Sequence, residues 1–115
     1  NILNNAKDVL VDKSVEDKKI YIEIDTVDQD VVVQIQDNGG GIPDEIIEKV
    51  FDPYFTTKHK SQGTGIGLYM SKEIIEKKLN GFLTVKNREI TLTDEHFLGA
   101  CFVISIPLLN SEISS

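Results

Sequence analysis

Val31-Val32-Val33-Gln34-Ile35-Gln36-Asp37-Asn38-Gly39-Gly40-Gly41-Ile42-Pro43 (residues 31–43) passes from an alternating strand straight into a run of glycines. Val31, Val33 and Ile35 fall at period two, the spacing of a strand with one apolar face. Asp37 closes that strand, and Asp-Asn-Gly is strong turn chemistry. Three consecutive glycines are more than a turn requires. Without Cβ atoms they let a flat ligand approach the backbone, and Asp37 would set an acceptor-only carboxylate at the floor of the opening. A purine amino group is one natural donor for it. Taken alone, the segment fits a plain turn as well as a ligand floor.

Upstream, Ile20, Ile22 and Ile24 repeat the period-two pattern across residues 19–25. The turn-prone stretch Val27-Asp28-Gln29-Asp30 predicts that the two strands form an antiparallel hairpin with one buried face. Residues 1–11 predict a helix, with Ile2, Leu3, Ala6, Val9 and Leu10 at apolar helical spacing. Asn1, Asn5 and Asp8 share another face of that helix. A carboxamide oxygen is a hard, neutral ligand that Mg²⁺ accepts beside water and substrate phosphates; a solvated helix face fits these residues too.

Downstream, Pro43 and Asp44 predict a short helix ending near Phe51. Within Phe51-Asp52-Pro53-Tyr54-Phe55, Phe51 and Phe55 are expected to be hydrophobic anchors. Residues 56–63 contain nothing apolar and predict a loop that orders only around a ligand, since it has no core contacts to offset its ordering entropy. Lys58, His59 and Lys60 form a basic cluster there. Gly63-Thr64-Gly65-Ile66-Gly67-Leu68 precedes a helix predicted over 65–79, where exposed backbone amides could cradle phosphate oxygens. It is neither a P-loop nor a complete G-x-G-x-x-G. Two apolar stripes (Leu68, Ile75, Leu79 and Ile66, Met70, Ile74) predict burial on more than one side. Asn80-Gly81 ends the helix. Strands follow at 82–87 and about 100–106, with the polar stretch between them expected to be a long hairpin loop. The fold class is α/β (α+β): a two-layer sandwich with a mainly antiparallel sheet packed on one face by helices.

The 115 residues suffice for one domain, and 40% hydrophobic with 27% charged residues is an ordinary globular mix. A formal charge of −7 argues against a nucleic-acid partner. No run approaches the length needed to cross a bilayer, so direct membrane contact is not expected. The single cysteine, Cys101, fits a reducing compartment. Met70 is the only methionine, and the expectation is that further sequence precedes Asn1. Residues 1–109 are expected to be the domain and 110–115 a tail.

An asparagine-faced helix, an Asp-Gly-rich strand end, an aromatic segment with a basic loop and a glycine loop before a helix occur here in a fixed order. In that order they resemble the N, G1, F and G2 boxes of sensor histidine kinases, in the superfamily shared with gyrase, heat-shock chaperones and MutL. The resemblance runs from NILNNAKD through GTGIGLYMSK to GACFVISIPL. It implies the Bergerat ATP-binding sandwich, with ATP and Mg²⁺ as cofactors. Asn5 would coordinate Mg²⁺, with Asn1 one turn earlier and Asp8 on the same helix face. Asp37 would contact the adenine amino group, with Gly39, Gly41 and Ile42 beside it. Gly63, Thr64, Gly65, Ile66, Gly67 and Leu68 would border the phosphates. Thr57 and Lys58 occupy lid positions near the phosphate tail and, with Asn5, would form the catalytic set.

Asp8 stands where many members carry a lysine or arginine, which shifts the cationic role toward Lys58. With the short lid and the string Phe55-Thr56-Thr57-Lys58, it resembles the nitrogen-regulatory subclass. The implied reaction moves the γ-phosphoryl group of ATP to a histidine on a separate dimerisation and phosphoacceptor domain, with a response regulator downstream. The parent would be a homodimer, cytoplasmic or anchored in the inner membrane. His59 and His96 lie outside any phosphoacceptor pattern, and His96 is expected in a loop. Rival readings are an ATPase of the same superfamily, an anti-sigma-type serine kinase and a non-catalytic nucleotide-binding module.

Overall fold

A computed structural model describes residues 2, 3, 7, 10, 19–55, 67–92 and 94–108. The alternating segments form β1 (Ile20–Val27) and β2 (Asp30–Asp37), antiparallel and in register from Ile20 opposite Asp37 to Val27 opposite Asp30. Their turn is two residues long, and Asp28 takes φ 56° there, a left-handed conformation of the kind tight hairpins use. β3 (Phe82–Leu92) and β4 (Glu95–Pro107) complete a sheet of order β1-β2-β4-β3, with every described pairing antiparallel.

One face of this sheet carries the core. Ile35 on β2, Phe102 and Ala100 on β4 and Leu83 on β3 cluster with Ile2 and Ile75 from the helical layer. Phe51 joins edge-on, its ring 6.1 Å from that of Phe102, as an anchor should. Leu83 is fully buried, a burial worth roughly 1.5–3 kcal/mol against an exposed leucine. The two-layer sandwich expected from the sequence is the architecture observed.

The opposite face holds a polar ladder that fixes register near the end of β2. Gln36, 1% exposed, donates through Nε2 to the Arg88 carbonyl at 2.7 Å and to that of Phe97 at 3.3 Å. Arg88 donates back, through Nε to Gln36 Oε1 at 2.7 Å and through a terminal nitrogen to Gln34 Oε1 at 2.8 Å. No buried side-chain nitrogen or oxygen among the described residues lacks a partner, as a low-dielectric site demands.

Several local expectations need correction. The hairpin's apolar face is buried on β2 but not on β1, where Ile22 and Ile24 are 49% and 67% exposed. β1 is an edge strand, and the core cluster sits over the other three. The helix after Pro43 is only α1 (Asp44–Ile47). It gives way to three-residue turns, in which Lys49, Asp52 and Phe55 donate to the carbonyls of Ile46, Lys49 and Asp52. Residues 88–92 and 95–99 are paired strand, and Asp94 takes a left-handed φ of 67° before β4. His96 accordingly lies in β4 rather than in a loop.

The helix described after the glycine loop is α2 (Gly67–Glu73), followed by a π-helical turn (Ile74–Lys78). Ile75, seven residues beyond Leu68 and so on the same helical stripe, enters the core, while Met70 and Ile74 stay about half exposed. Burial on more than one side is therefore not observed. Asn80, at φ 55°, ends the segment as expected.

Candidate functional site

Asp37 is the last residue of β2 and shares the strand phase of Ile35. It is 3% exposed, a depth at which a carboxylate must be held by donors. Its Oδ1 accepts from the Gly39 amide at 2.8 Å, so the chain folds back at once onto its own carboxylate. A carboxylate can accept about four hydrogen bonds, which leaves the group chemically suited to receive a ligand donor as well.

The loop that follows crosses the end of the sheet. Asn38 Oδ1 accepts from the Lys19 amide at 3.0 Å, tying the loop to the entrance of β1. The Gly40 amide donates to the Leu98 carbonyl of β4 at 2.9 Å. Gly40 and Gly41 both adopt φ 93°, a region closed to side chains with a Cβ. At Ile42 the loop meets β3: its amide donates to Asn87 Oδ1 at 2.7 Å, and Asn87 Nδ2 donates to its carbonyl, also at 2.7 Å. A Cβ on Gly41 would lie 2.7 Å from that same Asn87 oxygen. Pro43 then starts α1, its carbonyl accepting from Ile46 and Ile47.

Four of the expected residues, Asp37, Gly39, Gly41 and Ile42, thus occupy one ordered loop. Gly67 and Leu68 begin α2, and Leu68 and Ile42 pack against the same core. Asn1, Asn5, Asp8, Thr57, Lys58, Gly63, Thr64, Gly65 and Ile66 lie outside the described residues, as does the predicted lid over 56–63. A separate cleft of about 460 Å³ lies between the turn after α1, α2 and β3, lined by Phe51, Tyr69, Lys72 and Leu83 among others. Asp37 and its loop are not part of it.

Two residues that hold the loop escaped the sequence reading. A Cβ on Gly99 would overlap the Asp37 carbonyl oxygen and lie 2.7 Å from Oδ1, so only glycine lets β4 approach the carboxylate. A glycine inside an apolar run, Leu98-Gly99-Ala100-Cys101-Phe102, was the available signal. Asn87 gave none, because its partner stands 45 positions away.

A buried carboxylate acceptor at the end of a strand, beside a run of glycines, is chemistry suited to a ligand that carries an amino donor. The chain matches the family model for histidine kinase-, DNA gyrase B- and HSP90-like ATPases over residues 1–110. It is 37% identical over 93% of its length to the sensor protein CitS of Halalkalibacterium halodurans. It is 39% identical over 77% to a sensor histidine kinase described as NtrY-like from Rickettsia conorii. It spans only 18% and 14% of those two proteins. Among solved structures, the catalytic domain of histidine kinase ThkA in a nucleotide-free form superposes with a TM-score of 0.63 at 34% identity, over 91% of this chain and 65% of that one. The chain belongs to the histidine kinase-, DNA gyrase B- and HSP90-like ATPase family, and within it to the ATP-binding catalytic domains of sensor histidine kinases.

Proposed function

We propose that this domain binds Mg-ATP at the Asp37 loop and donates the γ-phosphoryl group to a histidine on a separate dimerisation and phosphoacceptor domain. The observation that carries this is the buried Asp37 carboxylate, oriented by the Gly39 amide and approached by Gly99, where a Cβ would meet it. Asp37 accepts from the adenine amino group and so selects adenine. Ile42 supplies an apolar wall at the same loop, and Leu68 stands at the start of α2. Asn5 would hold Mg²⁺ through its carboxamide oxygen, with Asn1 and Asp8 close to it in sequence. Bound Mg²⁺ supplies charge neutralisation at the phosphates. Thr57, Lys58 and the amides of the loop at Gly63, Thr64, Gly65, Ile66 and Gly67 add to it along the phosphate tail. Phosphoryl transfer needs this positioning and neutralisation more than covalent help.

The nucleophile comes from the partner domain. Its imidazole nitrogen forms the new bond to phosphorus as the bond to the β–γ bridging oxygen breaks and ADP departs. Of the chain's own histidines, His96 sits on the β3–β4 hairpin, with Nδ1 3.0 Å from Thr91 Oγ1. The parent is proposed to be a homodimeric, cytoplasmic or inner-membrane-anchored kinase that passes its phosphoryl group to a response regulator. Among the described residues no helix is long and apolar enough to cross a membrane.

Incubation with γ-labelled ATP and Mg²⁺ tests the assignment, with and without a histidine-containing phosphoacceptor domain in trans. Acid-labile label should appear on the acceptor alone. Stoichiometric label on the 115 residues themselves, or none on any acceptor, would count against it.

A further inference from the structure

We infer that Asn87 is a positioning residue for nucleotide binding, acting through Ile42 to hold the Asp37 loop in its receptive shape. The inference rests on the nucleotide reading of that loop. Three consecutive glycines have no side chains with which to fix their own path, so the loop's shape must be imposed at its ends. At the first end, Asp37 Oδ1 takes the Gly39 amide. In the middle, the Leu98 carbonyl takes the Gly40 amide. At the far end, the Asn87 carboxamide accepts from Ile42 N–H and donates to Ile42 C=O, both at 2.7 Å.

This is the bonding a neighbouring strand residue would offer, supplied by one side chain at the edge of the sheet. β3 is an edge strand, and Asn87 follows Leu83 and Val85 in phase, two residues apart, along the face that carries the core. It therefore stands where the helical layer ends and the loop passes over. A carboxamide is the side chain of this length with a donor and an acceptor side by side; aspartate keeps the acceptor and loses the donor. Gly41 fits only because it has no Cβ to meet the Asn87 oxygen at 2.7 Å. Without Asn87 the loop keeps the Gly40–Leu98 hydrogen bond but loses both anchors at Ile42, which loosens its far end and, through it, the turn at Gly39 that orients the carboxylate. Ligand would then have to reorder the loop before binding, which weakens affinity without touching any atom that contacts nucleotide.

The test compares the intact domain with Asn87→Ala, Asn87→Asp and Asp37→Asn, all well below their melting temperatures. Two quantities are read: amide exchange at Gly39, Gly40 and Ile42 without nucleotide, and affinity for a non-hydrolysable ATP analogue with Mg²⁺. Asn87→Ala and Asn87→Asp are expected to speed exchange at these amides about tenfold and to weaken the analogue about five- to twentyfold. Exchange in the β2–β4 ladder should not change. Faster loop exchange with unchanged affinity would reduce Asn87 to a structural contact and overturn the inference, as would unchanged exchange. Loss of binding in Asp37→Asn alone would leave the nucleotide reading standing and remove Asn87 from it. No binding by the parent domain, or undiminished binding in Asp37→Asn, would overturn both.

Discussion

Cys101 and Gly99 show how single positions near the loop are constrained. The Cys101 thiol is fully buried on β4, and burial raises its pKa above the usual thiol value despite the opposing charges of Arg88 and Lys86. Because the thiolate is the reactive form, an aromatic disulfide reagent should leave native protein unmodified and label it stoichiometrically once unfolded. Rapid labelling of folded protein would contradict that burial. At Gly99 an added methyl overlaps the Asp37 carbonyl oxygen. Gly99→Ala should therefore cost about 1–3 kcal/mol of stability, as overpacking does, and should weaken nucleotide binding as well. A urea midpoint equal to that of the parent would refute the close approach. At this scale Asp37, Gly39 and Gly41 were legible because a carboxylate and a glycine run are unusual at the end of an apolar strand. Gly99 left one signal, a glycine inside an apolar run, whereas Asn87 left none, since its contact exists only once β3 lies beside the loop.

Among elements, the segment from α2 into the π-helical turn packs on the sheet through Leu68 and Ile75 and is tied to β3 by the side-chain pair Lys72 and Glu76. Lys72 Nζ donates to Glu76 Oε2 at 2.6 Å and to the Leu83 carbonyl at 3.0 Å, and it lies 5.1 Å from the centre of the Phe51 ring. The hydrogen bond from Lys72 is the main cause of a Glu76 pKa lowered from its ordinary 4.5; slight burial opposes it, and the Leu83 amide assists. A carboxylate with a lowered folded pKa stabilises above its unfolded value and loses that contribution as pH falls through the folded one. Both partners are about a third exposed, so solvent screening keeps the effect small. Glu76→Gln should cost roughly 0.5–1 kcal/mol near neutral pH, a deficit that shrinks as pH falls from 4.5 through the lowered folded pKa. Thermal melts across that range check it; a deficit that persists undiminished in acid would exclude the ion pair as its source. The helix and the first hairpin were readable from periodicity. The outer half of the β3–β4 hairpin was not, because Glu89, Thr91, Glu95 and His96 are exposed and polar and leave only the short alternation of Ile90 and Leu92 between them. The π-helical turn over Ile74–Lys78 had no sequence signal either.

The whole molecule is an acidic domain, of formal charge −7, that binds an anionic ligand, so its local donors must outweigh its overall field. The order of motifs along the chain made family and fold legible together, whereas the loop's geometry required the assembled sheet. The central claim is that a buried carboxylate reads adenine, and titration calorimetry with Mg-ATP and Mg-GTP tests it most directly. In the proposed site adenine would present an amino donor to Asp37, and guanine a carbonyl acceptor at the same place. A charge-assisted hydrogen bond of this kind is worth roughly 1.5–3 kcal/mol, about tenfold to a hundredfold in affinity. ATP should therefore bind at least about tenfold more tightly than GTP, and Asp37→Ala should lose most of that preference. Equal affinities for the two nucleotides in the unaltered domain would contradict the account.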